Sequence, residues 1–212
     1  MQGDPAPNDD QVATFSKELH AIAEPIGDGG RDYYPYELRS DVMAAVKKLG
    51  PHPLDAYQAL LVREHDPLYL ETLVFLIGRT DDPRVDDILL RALDQPALRP
   101  RALYALGAMG TRNWPHRDRD RRKVLDAIAR YTGDATPYTD VHYRDQTFET
   151  GDFARAAFLR IAGLENFPER KGLAGLPDDP EGQTVGTSLP TFTTADRAKL
   201  DAAIQRHRSA TH

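Results

Sequence analysis

The sequence predicts an all-α protein: a short α-α superhelix of paired helices, with a long loop between two of the pairs. An irregular Gly/Pro-rich strap then leads to a last helix. Three observations carry this expectation. Apolar residues recur at i, i+3, i+4 and i+7 in six separate segments, a glycine-to-proline interval of five residues occurs three times, and no strand-like alternation competes over the same stretches.

The six full matches to the helical template run in chain order. They are Val42, Ala45, Val46, Leu49; Leu70, Leu73, Val74, Ile77; Val85, Ile88, Leu89, Ala92; Ala102, Ala105, Leu106, Met109; Val124, Ala127, Ile128, Tyr131; and Ala154, Ala157, Phe158, Ile161. Two further helices are expected around Val12, Phe15, Leu19, Ile22 and around Leu54, Tyr57, Leu61. Ser40 and Asp41 mark one helix start, Asp82 before Pro83 another, and Thr193 three residues ahead of Asp196 has the spacing of a capping box. Leu49-Gly50-Pro51 is a stop, because glycine takes the left-handed cap conformation and proline cannot extend the ladder.

The internal echo aligns Gly78, Gly110 and Gly163, each followed five residues later by a proline: Pro83, Pro115 and Pro168. Each glycine closes an apolar helix, and after the first two prolines a second amphipathic helix begins. Gly78 and Gly110 lie 32 residues apart. On these residues the stretches Asp82 to Asp94 and Arg101 to Gly110 resemble the two helices of HEAT repeats and their bacterial relatives. The resemblance covers residues 67 to 167 and extends to 40 to 65 as a divergent first hairpin. It implies a curved stack whose second helices line the inner surface, here exposing Asp86, Asp87, Arg91, Arg122, Asp126 and Arg130 to a protein partner. Two departures stand out: the loop from Thr132 to Gly151, and a third unit without an obvious second helix.

The expected layout is a flexible tail over 1–10, a helical-repeat domain over 11–167, a Gly/Pro-rich strap over 168–192 and a C-terminal helix over 193–212. Glycines 172, 175, 182 and 186 with Pro177 and Pro180 exclude a long helix in the strap. The last helix has a sparse apolar face, Ala195, Ala198, Leu200, Ala203 and Ile204, and is expected to cap the stack or to stay partly detached.

Composition limits function. With 212 residues, 40% hydrophobic and 28% charged, the chain has the make-up of a water-soluble globule. The longest apolar run, Leu73 to Gly78, falls far short of the ~18 residues of a membrane-spanning helix, so no membrane insertion is expected. Cysteine is absent, which removes disulfides, thiolate zinc sites and cysteine nucleophiles. A net charge of -6 argues against nucleic acid as the main partner. The polar start, with Pro5 and Pro7, lacks the apolar core of a secretory signal, which favours the cytoplasm; it equally fits an exported chain after signal removal.

Two stretches hold candidate binding residues. The first, residues 112 to 123, contains six Lys or Arg against two Asp, together with the sole tryptophan. Its cations enter the first turn of a helix, where the macrodipole disfavours them, so an anionic partner surface or a phosphate is one reading, with Trp114 as anchor and Arg117, Arg121 and Arg122 as contacts. The other reading has Asp118 and Asp120 capping the helix, the arginines solvated and Trp114 packed between hairpins.

The second stretch is the long loop. Recognition through Tyr138, His142, Tyr143 and Arg144 competes there with metal ligation by Asp140, His142 and Asp145, and with aromatic side chains plugging a gap between hairpins. No recognised metal site has this spacing, and no metal or cofactor is expected. Enzymes of HEAT-like architecture include iron hydroxylases of the deoxyhypusine type, which use His-Glu pairs, and DNA glycosylases, which are basic. This chain has no His followed by Glu and no His pair at i, i+4, and it lacks a Gly-x-Ser-x-Gly elbow, a phosphate loop and a dinucleotide fingerprint. The expected function is that of a non-catalytic scaffold or adaptor that binds a protein, for example an immunity-type inhibitor. A hydrolase or metal-assisted enzyme centred on 132–151, and a nucleic-acid binder using 112–123, are the alternatives.

Overall fold

Solvent is excluded chiefly by helices lying side by side, as the periodicity requires. The computed structural model describes residues 6–23, 40–108, 120–139, 147–163, 166–173 and 190–211. The elements are α1 (Asp9–Ala23), α2 (Ser40–Lys48), α3 (Pro53–Arg63), α4 (Pro67–Gly78), α5 (Val85–Ala92), α6 (Arg99–Ala108), α7 (Arg121–Ala129), β1 (Pro137–Thr139), β2 (Thr147–Glu149), α8 (Thr150–Ala162) and α9 (Thr194–Thr211), with a 3-10 turn over Pro168–Arg170. Every helix expected from periodicity has a counterpart among the described residues.

Local chemistry sets the ends. At the start of α1 the Asn8 N–H donates to Gln11 Oε1 at 3.0 Å and the Gln11 N–H returns to Asn8 Oδ1 at 2.9 Å. That reciprocal cap starts the helix at Asp9, inside the expected tail. The cap foreseen at α9 is present, with the Asp196 N–H donating to Thr193 Oγ1 at 3.2 Å and the Thr193 N–H to Asp196 Oδ2 at 3.1 Å. Gly50, at φ 77°, closes α2. The Gly78–Pro83 corner joins α4 to α5, but α5 starts two residues after the proline because Asp82 turns back to accept the Arg84 N–H at 2.8 Å. Gly163 ends α8, and Pro168 opens only the 3-10 turn, so the third unit has no second α-helix there. The Gly110–Pro115 corner lies outside the described residues.

The loop expected over 132–151 contains an antiparallel pair of strands. Pro137 faces Glu149, Tyr138 faces Phe148 and Thr139 faces Thr147. Three residues per strand are too few to register as an alternating pattern. The loop's end is stitched to its beginning: the Gly151 N–H donates to the Asp134 carbonyl at 2.8 Å, and a Cβ at Gly151 would sit 2.6 Å from the Thr132 carbonyl oxygen.

Helices α4, α6 and α8 pack side by side, with α1 against α4; α3 covers α4, α5 lies over α4 and α6, and α7 and α9 cover α8. One apolar cluster runs through all of them, from Val12 to Ile204. Helices α6 and α8 approach closely: a Cβ on Gly107 would lie 2.6 Å from the Ala157 Cα and 2.9 Å from its Cβ. Helix α8 is enclosed: every residue from Thr150 to Ile161 is buried, not only the apolar stripe Ala154, Ala157, Phe158, Ile161.

Carboxylates lock the corners between helices. Glu64 accepts the N–H groups of His65 and Asp66 at 2.7 and 2.9 Å and pairs with His20 Nε2 at 2.8 Å. Asp134 accepts the Thr136 N–H at 3.0 Å and Arg99 NH1 at 2.8 Å. Burial alone would raise both pKa values, but the donors outweigh it, so Glu64 and Asp134 are held below their ordinary values. The Arg84 side chain likewise holds Asp82 low.

Two outcomes are expected from this packing. Gly107→Ala lowers stability by about 1–3 kcal/mol through overpacking, although alanine is the better helix former; a urea midpoint equal to or above the wild type's would contradict the close contact. The depressed carboxylates contribute stability that is complete above their unfolded values, 4.5 for Glu and 3.8 for Asp, and is lost as pH falls through the lower folded values. Urea midpoints followed downward from pH 4.5 decline, and Glu64→Gln with Asp134→Asn makes that decline shallower.

Candidate functional site

Helix α9 has too few large apolar residues to dock by burial alone. Leu200, Ala203 and Ile204 are buried against the body, and Phe192 is inserted just before the helix. Charge supplies the rest. Asp152, in the first turn of α8, is only 1% exposed, and Arg197 clamps it from α9 with Nε on Oδ1 and NH2 on Oδ2, both at 2.9 Å. Arg197 NH1 reaches Glu149 at 2.5 Å, and these carboxylates hold its pKa above the ordinary arginine value, the Asp152 hydrogen bonds contributing most. Arg155 bridges back, donating to Asp152 at 3.1 Å and to both oxygens of Asp201 at 2.9 and 2.8 Å. The Phe192 N–H completes the shell of Asp152 at 3.3 Å. A carboxylate this deep is tolerated only because each oxygen has donors.

This docking lays the last turns of α9 beside α7. Between them opens a cleft of about 190 Å³ lined by Arg121, Arg122, Leu125, Asp126, Phe158, His207 and Arg208. Spacing explains the α7 contribution, since residues 121, 122, 125 and 126 share one helical face. Asp120 starts that helix by accepting the Lys123 N–H at 3.0 Å, the capping role foreseen for it. Phe158 comes up from α8 as floor, its ring edge-on to His207 at 6.0 Å, while Phe167 supports His207 from behind at 5.3 Å. Arg208 approaches Asp126 at 3.8 Å, too long for a hydrogen bond. Among the described residues the rim therefore carries three arginines and a histidine alongside one carboxylate.

Of the residues singled out in the sequence, Arg121 and Arg122 are exposed at this cleft. Tyr138 does not line it. Its hydroxyl donates to Glu71 and accepts from Arg101 Nε at 3.1 Å, and its ring meets Phe153 edge-on at 5.6 Å. Arg101 NH2 also reaches Glu71 at 3.1 Å. Tyr138 thus pins the β1–β2 pair onto α4 and α6, the packing role weighed against recognition. Trp114, Arg117, His142, Tyr143 and Arg144 lie outside the described residues, as do Asp140 and Asp145. The expected charged face divides: Asp87 pairs with Lys123 at 2.6 Å and Arg91 and Arg130 are exposed, but Asp86 is buried in the first turn of α5, where the helix dipole favours a carboxylate.

Leu125, Phe158, His207 and Arg208 were not foreseen as site residues. Nothing local to the sequence says that His207 and Arg208 lie against α7. Among the described residues no cluster of three His, Asp or Glu could hold a metal ion, and no helix is long and apolar enough to cross a membrane. No protein-family model, curated protein or solved structure matches the chain.

The ionic clip should control α9. Arg197→Ala leaves Asp152 short of two donors and costs about 3 kcal/mol, with α9 becoming the first site of limited proteolysis. Arg206→Ala, at the exposed pair with Glu169, stays within about 0.5 kcal/mol of wild type. Equal losses in the two variants would show that the clip is not what docks the helix.

Proposed function

We propose that the chain is a non-catalytic scaffold of HEAT-like helical hairpins that binds another protein, as an adaptor or an immunity-type inhibitor, and that the cleft between α7 and α9 belongs to its docking surface. The observation that carries this reading is the cleft itself: cations of two helices on either side of an apolar floor, held on rigid elements. Recognition surfaces combine such an apolar centre with charged edges that steer and orient the partner. The pairing of α4 with α5 through a Gly-to-Pro corner, and the side-by-side packing of α4, α6 and α8, support the HEAT-like part of the reading. Net charge favours a protein over a nucleic acid: a chain at -6 repels a polyanion at long range, whereas phosphate binding draws on an excess of cations.

The test is affinity capture from an extract of the source organism, treated with nuclease, using wild type and an Arg121→Glu, Arg122→Glu variant. Both arginines are exposed, so the variant keeps the helical circular dichroism and melting temperature of the parent. A discrete protein retained by wild type and lost by the variant is the expected result. Retention that depends on nucleic acid, or that is indifferent to the reversal, would remove the reading.

A further inference from the structure

We infer that the α7–α9 cleft binds a short acidic peptide segment in which one large apolar side chain is flanked by carboxylates. The inference rests on the protein-binding reading and specifies its ligand. Four observations lead to it. The surface exposed inside the cleft is mostly apolar, with Leu125 and the buried Phe158 among its lining, so its centre suits a hydrocarbon or aromatic side chain and is a poor cradle for a phosphate. At about 190 Å³ the cleft is smaller than the ~300–1,000 Å³ of sites that enclose a whole small molecule, and matches one anchoring side chain.

The third observation is charge. Arg121 and Arg122 lie exposed in the first turn of α7, just after the Asp120 cap, and present their guanidinium groups to the cleft, where a carboxylate is the complementary charge. Arg208 faces them across the cleft, beside Asp126 at 3.8 Å, so cations stand on both of its walls. Planar guanidinium groups on two sides of an apolar centre set the geometry: one carboxylate toward α7, one toward α9, the apolar residue between. The fourth is rigidity. The α9 side is fixed by the Arg197–Asp152–Arg155–Asp201 clip and the floor belongs to the fully buried α8, so little order is lost when a peptide seats.

Selection from a random peptide-display library on the immobilised full chain tests this, with enriched peptides then titrated by fluorescence anisotropy against wild type, Arg121→Glu with Arg122→Glu, Arg208→Glu and Leu125→Ala. Enriched sequences are expected to carry two or more Asp or Glu around a Phe, Trp, Leu or Met. Each charge reversal weakens them about tenfold or more, and Leu125→Ala weakens them several-fold, in variants whose melting temperatures match the parent's. Inorganic phosphate and a DNA duplex are the competitors. No enrichment, enrichment of neutral or basic sequences, affinity unchanged by the reversals, or displacement by phosphate alone would each overturn the inference. If a protein is still captured through Arg121 and Arg122 while acidic peptides fail, the protein-binding reading stands and only the peptide assignment falls.

Discussion

Everything in this fold answers to the burial of α8. A helix with one apolar stripe needs a single neighbour, whereas α8 is enclosed from Thr150 to Ile161 and so requires a cover on each side. Helix α6 supplies one, possible only because Gly107 has no side chain to hold Ala157 away. Helix α7 covers a second side, the β1–β2 pair leads into the first turn of α8, and α9 covers a further side. Complete enclosure would be simple for an all-apolar helix. Asp152, Arg155 and Arg160 make it conditional on counter-charges or aromatic faces: Arg197 and Asp201 come from α9, and Tyr104 of α6 lies 6.0 Å from the Arg160 guanidinium. Arginine in that setting is desolvated, which pushes its pKa down, with Tyr104 acting in the opposite sense.

The same enclosure decides what was legible in the sequence. Periodicity finds helices whose environments differ from face to face, and it found α2, α4, α5, α6 and α7 to within three residues of the described bounds. It also found α8, but credited it with one buried face, because Asp152, Arg155 and Arg160 look like a solvated side when their partners are unknown. Those partners lie more than forty residues away along the chain or on another helix, and no local rule couples Asp152 to Arg197. The short strands at 137–139 and 147–149 escaped for a different reason, being too brief to show alternation. Tyr138 was open to two readings by residue type, recognition or packing in the gap between hairpins. What holds it inside is Glu71, a residue singled out by nothing in its own neighbourhood.

Caps and corners fared better because their causes are local. Thr193 with Asp196, Asp120 with the Lys123 N–H and Gly50 at the end of α2 each involve atoms within four residues, and each takes the expected role. Asp82 shows where local reasoning stops short: its carboxylate accepts the Arg84 N–H ahead of the helix, which begins only at Val85. The cleft is the opposite case. Arg121 and Arg122 could be named from charge density, yet a cationic run becomes a site only when something apolar and something opposed face it, and those come from α8 and α9.

The cleft and the core are therefore one mechanical system. Arg197 and Arg208 lie on the same helix, separated by about 16 Å of axis at the usual rise per residue, with no proline between them. A helix transmits position along its length, so the ion cluster at Asp152 fixes where Arg208 and His207 stand opposite α7. Docking α9 by a charge cluster instead of a broad apolar face leaves its other surface polar, consistent with the exposed Lys199, Gln205 and Arg206. It also makes the position of α9 stricter than burial would, because apolar contacts tolerate sliding whereas bidentate guanidinium–carboxylate bonds do not. The buried carboxylate that complicates α8 is thus also the reference point from which the rim of the cleft is set.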